Sequence, residues 1–247
     1  MNPPSSPFGQ PDAVRLSDED ATIAVLERAV TGMWDAVSEL TRLRRSSRQN
    51  YRVTIFGSAR IKPGTPAYDS VKQLAAALAE MGCDIISGGG PGLMQAANEG
   101  ALSADPEALR RSVGIRVDLP FEQEINPFVG QAYAHRTFFS RLHHFMIASD
   151  AFIVVPGGIG TLLEMSVAWQ LLQVRRLGQT PLILVGKMWE ELVGWGRQWM
   201  LREGIELSGE TDFDIPRCVD SIEAAIALIR ENRAGWLADQ AADHDPE

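Results

Sequence analysis

Five short runs rich in Val, Ile and Phe, namely Val53–Phe56, Asp84–Ser87, Ser112–Val117, Ala151–Val155 and Leu182–Val185, are each followed by a longer stretch of helical periodicity. Runs this apolar belong to strands covered on both faces, and a helix after each strand supplies the crossover that parallel pairing requires. The helical stretches fall at about 67–81, 92–103, 137–148, 161–176, 188–202 and 220–232. The alternation predicts an α/β fold: a doubly wound, Rossmann-like parallel sheet with helices on both faces. Only five or six strand–helix units can be counted, too few for a closed barrel. In an open sheet of this kind, ligands bind beyond the C-terminal ends of the strands, where the loops converge.

Two of those strand ends carry glycine-rich turns. The first is Ser87-Gly88-Gly89-Gly90-Pro91-Gly92-Leu93-Met94, set between a strand and a helix. Glycines there let the backbone approach a ligand closely, and the free amides of a helix start favour an anion. The second is Pro156-Gly157-Gly158-Ile159-Gly160-Thr161-Leu162-Leu163-Glu164, after the most apolar of the strands. It lacks the Lys-Ser/Thr pair that closes a P-loop, and Leu163 stands where the dinucleotide pattern requires glycine. What remains is an anion cradle of mononucleotide size with a carboxylate one turn into the helix. Thr161 and Glu164 are also spaced as a capping box, but the three glycines just upstream favour a functional Glu164. A carboxylate repels phosphate, so Glu164 is expected to face the sugar end of the ligand.

The helix before that second turn reads Phe138-Phe139-Ser140-Arg141-Leu142-His143-His144-Phe145-Met146. Arg141 falls among core-facing residues, where a charge needs a partner or a ligand. Its partner could be a carboxylate, Glu164 itself included. His143 and His144 are adjacent and point about 100° apart on a helix, so they cannot share one metal. No metal site is expected.

Composition narrows the partners. A formal net charge of -9 speaks against a nucleic-acid polymer, whose binders need a basic footprint. No apolar run approaches about 18 residues, so no membrane span is expected. The N-terminal MNPPSSPFGQPD has neither the basic nor the apolar region of a signal peptide. Cys83 and Cys218, both read as buried strand, offer neither a disulfide framework nor a metal spacing, which suits a reducing cytoplasm. Residues 1–16, rich in Pro and Ser, read as a disordered tail. Ser17 opens an amphipathic helix that carries Ile23, Leu26, Val30, Met33, Val37, Leu40 and Leu43 and closes the 17–50 segment. The α/β domain is expected over 51–235, with a flexible tail over 236–247.

At these motifs the chain resembles the LOG ("lonely guy") family, whose members are often mislabelled lysine decarboxylases. The resemblance rests on the Ser87–Gly90 turn with Gly92-Leu93-Met94, the Pro-Gly-Gly-x-Gly-Thr-x-x-Glu motif of 156–164, and the arginine of the helix between them. Phe56-Gly57-Ser58-Ala59-Arg60 is similar to the family's opening motif, and the likeness spans about residues 51–232. It implies a phosphoribohydrolase, which cleaves the N-glycosidic bond of nucleoside 5'-monophosphates, purine or cytokinin type, to free base and ribose 5-phosphate. It further implies Arg141 and Glu164 as the catalytic pair, and Gly157, Gly158, Gly160 and Thr161 around the phosphate. Gly57, Ser58, Ser87, Gly88, Gly89, Gly90 and Met94 would line the pocket. No cofactor is implied, and the expected assembly is a homodimer with the site near its interface. The family usually carries Arg-Lys in the helical motif, often after Glu, whereas here Ser140 and Leu142 flank Arg141. Molybdenum-cofactor carriers resemble the same fold, so a non-catalytic carrier of a phosphate-bearing ligand is the alternative.

Overall fold

The computed structural model describes residues 20–27, 50–104, 109, 111–117, 125–204 and 207–242. The chain divides into two compact units, Met1–Arg44 and Arg45–Glu247. In the first, residues 20–27 are helical (α1); the tail 1–16 and, of the expected 17–50 helix, residues 17–19 and 28–49 lie outside the described residues. The second unit runs β1 (Arg52–Phe56), α2 (Pro66–Glu80), β2 (Asp84–Ser87), α3 (Leu93–Ala104), β3 (Ser112–Val117) and β4 (Gln131–His135). It continues through α4 (Phe138–Ala148), β5 (Ala151–Val154), α5 (Ile159–Gln173), β6 (Leu182–Val185), α6 (Lys187–Met200), β7 (Pro216–Val219) and α7 (Ile222–Ala242).

All seven strands join one sheet in the order β4-β3-β2-β1-β5-β6-β7, and every pairing is parallel. The doubly wound α/β architecture expected from the sequence is therefore the one observed. Alternation along each strand splits the core in two. On one face Val53, Ile55, Ile85, Ile153 and Ile183 pack under α2, α3 and α7. On the other, Phe56, Ile86, Phe152, Val154, Leu182 and Leu184 pack under α4, α5 and α6. Each large side chain so buried contributes about 1.5–3 kcal/mol, and the buried polar residues of the central strands are bonded: Thr54 to Ser149, Asp84 to Asn50 and Ser87 to Asn98.

The two strands that sequence reading did not anticipate, β4 and β7, are the two edges of the sheet. β4 reads Gln-Ala-Tyr-Ala-His and exposes most of its residues, so no continuous apolar run marks it. β7 begins with Pro216 and exposes Arg217 and Cys218, a composition that only an edge tolerates. Cys218 is thus exposed rather than buried, while Cys83 is buried just before β2. The C-terminal tail expected from 236 is helical as far as Ala242, and Trp236 packs edge-on against Tyr51 at 5.6 Å between ring centroids. No described helix is long and apolar enough to cross a membrane.

Candidate functional site

The strand order reverses direction between β1 and β5, and the crevice beyond such a switch point is where doubly wound sheets take their ligands. The turns that follow these two strands are tied together, since the Ser58 amide donates to the Pro156 carbonyl at 3.1 Å. The turn after β2 joins them through the Leu93 amide, which donates to the Ser58 carbonyl at 2.8 Å. All three motif-bearing loops therefore meet at one point.

Arg141 and Glu164 reach this point from α4 and α5. Thr137 caps α4, its hydroxyl accepting from the Ser140 amide at 3.1 Å, which places Arg141 one turn inside. Arg141 Nη1 lies 3.1 Å from Glu164 Oε1, with the two side chains only 12% and 11% exposed. Nε of the same guanidinium donates to the Ile115 carbonyl of β3 at 2.9 Å, and its carbon stands 5.0 Å from the centre of the Phe145 ring. Three contacts thus fix its orientation. Burial pushes the Glu164 carboxyl up to about 7 against the downward pull of Arg141. Its proton is then exchangeable near neutral pH, as acid–base and electrostatic chemistry requires.

The cap of α5 is Gly158, which offers no side-chain hydrogen bond to the helix start. Thr161 is the third helical residue and Glu164 the sixth, so they form no capping box; Glu164 pairs with Arg141 instead. The first amides of α5 thus receive no cap from Gly158, and the positive end of the helix dipole stands behind them. A Cβ added to Gly158 or Gly160 would meet no atom within 4 Å, so both glycines border open space. Gly157 differs: its Cβ would collide with the Thr161 side chain, and Thr161 is itself buried at 4% exposure. In this motif, then, Gly158 and Gly160 face outward while Gly157 and Thr161 pack on one another.

The Ser87–Gly92 turn is occupied by protein. Gly89 and Gly92 adopt φ of +70° and +71°, the left-handed region where a side chain costs about 1–2 kcal/mol. A Cβ on Gly92 would also strike the Ser58 and Ala59 backbone, and one on Gly57 would strike Val155 and Leu93. One on Gly88 would run into both Met94 Sδ and Arg141 Nη2, and one on Gly90 would come within 2.8 Å of Met94 Cε. Ser87 is fully buried; its hydroxyl donates to Asn98 Oδ1 at 2.6 Å and accepts from the Gly89 amide at 3.0 Å. Of the expected pocket residues, Gly88 and half-buried Met94 adjoin Arg141 and Gly90 adjoins Met94, whereas Ser87 and Gly57 are structural.

Asn98 and Asn126, absent from the sequence-based expectation, hold this turn. Asn126 Nδ2 donates to the Gly90 carbonyl at 2.9 Å and to Asn98 Oδ1 at 3.0 Å. Asn98 Nδ2 donates to Ser112 Oγ at 2.9 Å. A polar Asn98 within the Ala96, Ala97, Gly100 and Ala101 face of α3 was the available signal, since such a residue is seldom buried without a network. Asn126 gave none. On α4, His144 Nδ1 faces His135 Nε2 at 2.9 Å, and no cluster of three His, Cys, Asp or Glu suited to a metal occurs among the described residues. A separate groove, lined by Tyr51, Asp150, Arg217 and Trp236, opens at the opposite end of the strands and holds no motif residue.

A family model described as "Possible lysine decarboxylase" matches residues 94–229, more than half of the 247-residue chain. The chain belongs to this LOG-type family. The match takes in Met94, Arg141 and the whole of the second glycine turn. Among solved structures, the protein TM1055 aligns with a TM-score of 0.55 at 20% identity, covering 73% of this chain and 99% of its own. The molybdenum cofactor carrier protein of Chlamydomonas reinhardtii aligns with a TM-score of 0.55 at 19% identity, covering 75% and 99%. The molybdenum cofactor binding protein of Rippkaea orientalis gives 0.53 at 21% identity, covering 74% and 97%. At these identities the likeness establishes a shared fold. No curated protein matches the chain.

Proposed function

We propose that this LOG-type protein hydrolyses nucleoside 5'-monophosphates, of purine or cytokinin type, to free base and ribose 5-phosphate. The observation that carries the reading is the buried pair of Arg141 on α4 with Glu164, the latter one turn inside α5, whose start has no side-chain cap and is flanked by open glycines. The phosphate would rest at the start of α5 on the amides around Gly158 and Gly160. The ribose then lies over Glu164. Cleavage sends the C–N bonding pair to the base and builds positive charge on the sugar, which the ionised Glu164 opposes. Water closes the new C–O bond and gives its proton to Glu164 or solvent, while the departing base takes up one proton from solvent, so that the free base leaves neutral. Arg141 holds Glu164 in place and offers positive charge near the departing base. No cofactor is needed, because water is the only co-reactant.

The partner is then a small nucleotide, not a nucleic-acid polymer or a membrane, and the cytoplasm is where such nucleotides are met. Ile159 at 82%, Phe139 at 74% and Leu163 at 43% exposure surround the start of α5 and α4, and a homodimer covering them is part of the reading. Decarboxylation on a lysine-bound cofactor fits poorly: Lys72 Nζ is held by Glu99 at 2.6 Å on α2, Lys187 sits at the start of α6 near Glu191, and the third lysine, Lys62, lies outside the motifs. The competing reading is a non-catalytic carrier of a nucleotide or molybdenum cofactor. It draws on the named function of two fold neighbours and on Leu142 where the family has lysine. Incubation with a panel of monophosphates, AMP and isopentenyl-AMP included, separates the two by chromatography of free base. Release supports hydrolysis; tight binding without release supports the carrier.

A further inference from the structure

We infer that Met94 is the residue against which the nucleobase rests, and so a determinant of which bases this site accepts; this rests on the hydrolase reading above. The order of groups across the crevice carries the inference. Arg141 Nη1 is on Glu164, while Nη2 lies on the other side, over the Cα of Gly88, where a Cβ would meet it at 2.5 Å. Met94 Sδ shares that place over Gly88, and Met94 Cε lies over Gly90. From the α5 helix start the sequence of groups is therefore open glycines, Glu164, Arg141 and Met94. A nucleotide laid along it puts phosphate, ribose and base on those groups in turn.

Gly88 and Gly90 gain a purpose from this arrangement. Each lacks the Cβ that would displace the thioether, so the turn seats Met94 beside the guanidinium instead of cradling an anion itself. A thioether is polarisable and adaptable, and sulfur favours the edge and face of aromatic rings. Met94 is also half-buried, leaving part of its surface for a ligand. The expected substrates are monophosphates with a broad heterocycle, purines ahead of pyrimidines.

The test compares the full-length protein with Met94→Ala and Met94→Leu, using AMP and UMP as substrates and ribose 5-phosphate as a competitive inhibitor. For Met94→Ala the KM for AMP should rise about tenfold, the AMP-to-UMP preference should fall, and inhibition by ribose 5-phosphate should stay unchanged. Met94→Leu, which keeps the volume, should recover most of the AMP affinity, with thermal melting confirming that both variants fold. A fall in kcat with unchanged KM for both substrates would make Met94 a mere support for Arg141 and overturn the inference. Base release by the unmodified protein reports separately on the hydrolase reading; its absence would overturn both.

Discussion

The two glycine-rich turns look alike in sequence and are used in opposite ways. In Ser87–Gly92 the space that side chains would take is already filled, by Met94, Arg141 and the Ser58–Ala59 backbone, and Asn98 and Asn126 fasten the loop from below. In Pro156–Gly160 the two glycines nearest the helix start border open space among the described residues, and the cap residue Gly158 makes no side-chain hydrogen bond to the helix. A glycine can therefore mean that protein is close or that a ligand must come close. Only the surroundings distinguish the two.

Substitution separates them most sharply at Gly92. Gly92→Ala combines a positive φ with backbone collision and should cost about 3 kcal/mol or more, read as a lower urea midpoint. The next effect is a pH dependence. Glu164 moves from the ordinary 4.5 to about 7 in the folded chain, so the native state holds a proton that the unfolded state releases. Its contribution should cost stability as pH rises from about 4.5 to about 7, by on the order of 3 kcal/mol. Urea titrations across that window should show the slope in the unmodified protein and its loss in Glu164→Gln. Activity should run the other way, rising through about pH 7 as the carboxylate forms, and Arg141→Met should push that limb to higher pH because Arg141 favours ionisation. Asn98→Ala, which strands buried partners on Ser87, Ser112 and Asn126, should cost about 2 kcal/mol in the same urea measurement. The smallest stability change is expected at Gly160→Ala: a gain of up to about 1 kcal/mol, since alanine suits a helix better than glycine. The same methyl enters the open space over the helix start, so calorimetry should show ribose 5-phosphate binding about tenfold more weakly. Unchanged binding there would erase the contrast between the turns.

The sheet centre was legible because β5 and β6 are apolar throughout and β1 and β2 carry Val53, Ile55, Phe56, Ile85 and Ile86, as strands covered on both faces by helices require. Its edges were not, because β4 and β7 have one free side and tolerate Gln131, Tyr133, Pro216 and Arg217. Arg141 and Glu164 stood out as charges beside apolar or glycine-rich surroundings, and their pairing was foreseeable as one option among several. The Asn98–Asn126 network was not foreseeable, since it joins α3 to a loop 28 residues away. Nor could the sequence sort filled glycines from open ones, because what a Cβ would touch is decided by segments far along the chain.

If Glu164 performs chemistry on a bound nucleotide, AMP turnover by the unmodified protein must differ sharply from that by Glu164→Gln. Free adenine and ribose 5-phosphate should appear in equal amounts, and the variant should lose about 100- to 1000-fold in rate while still binding AMP. Equal rates in the two proteins, or no adenine from either while AMP binds, would contradict it.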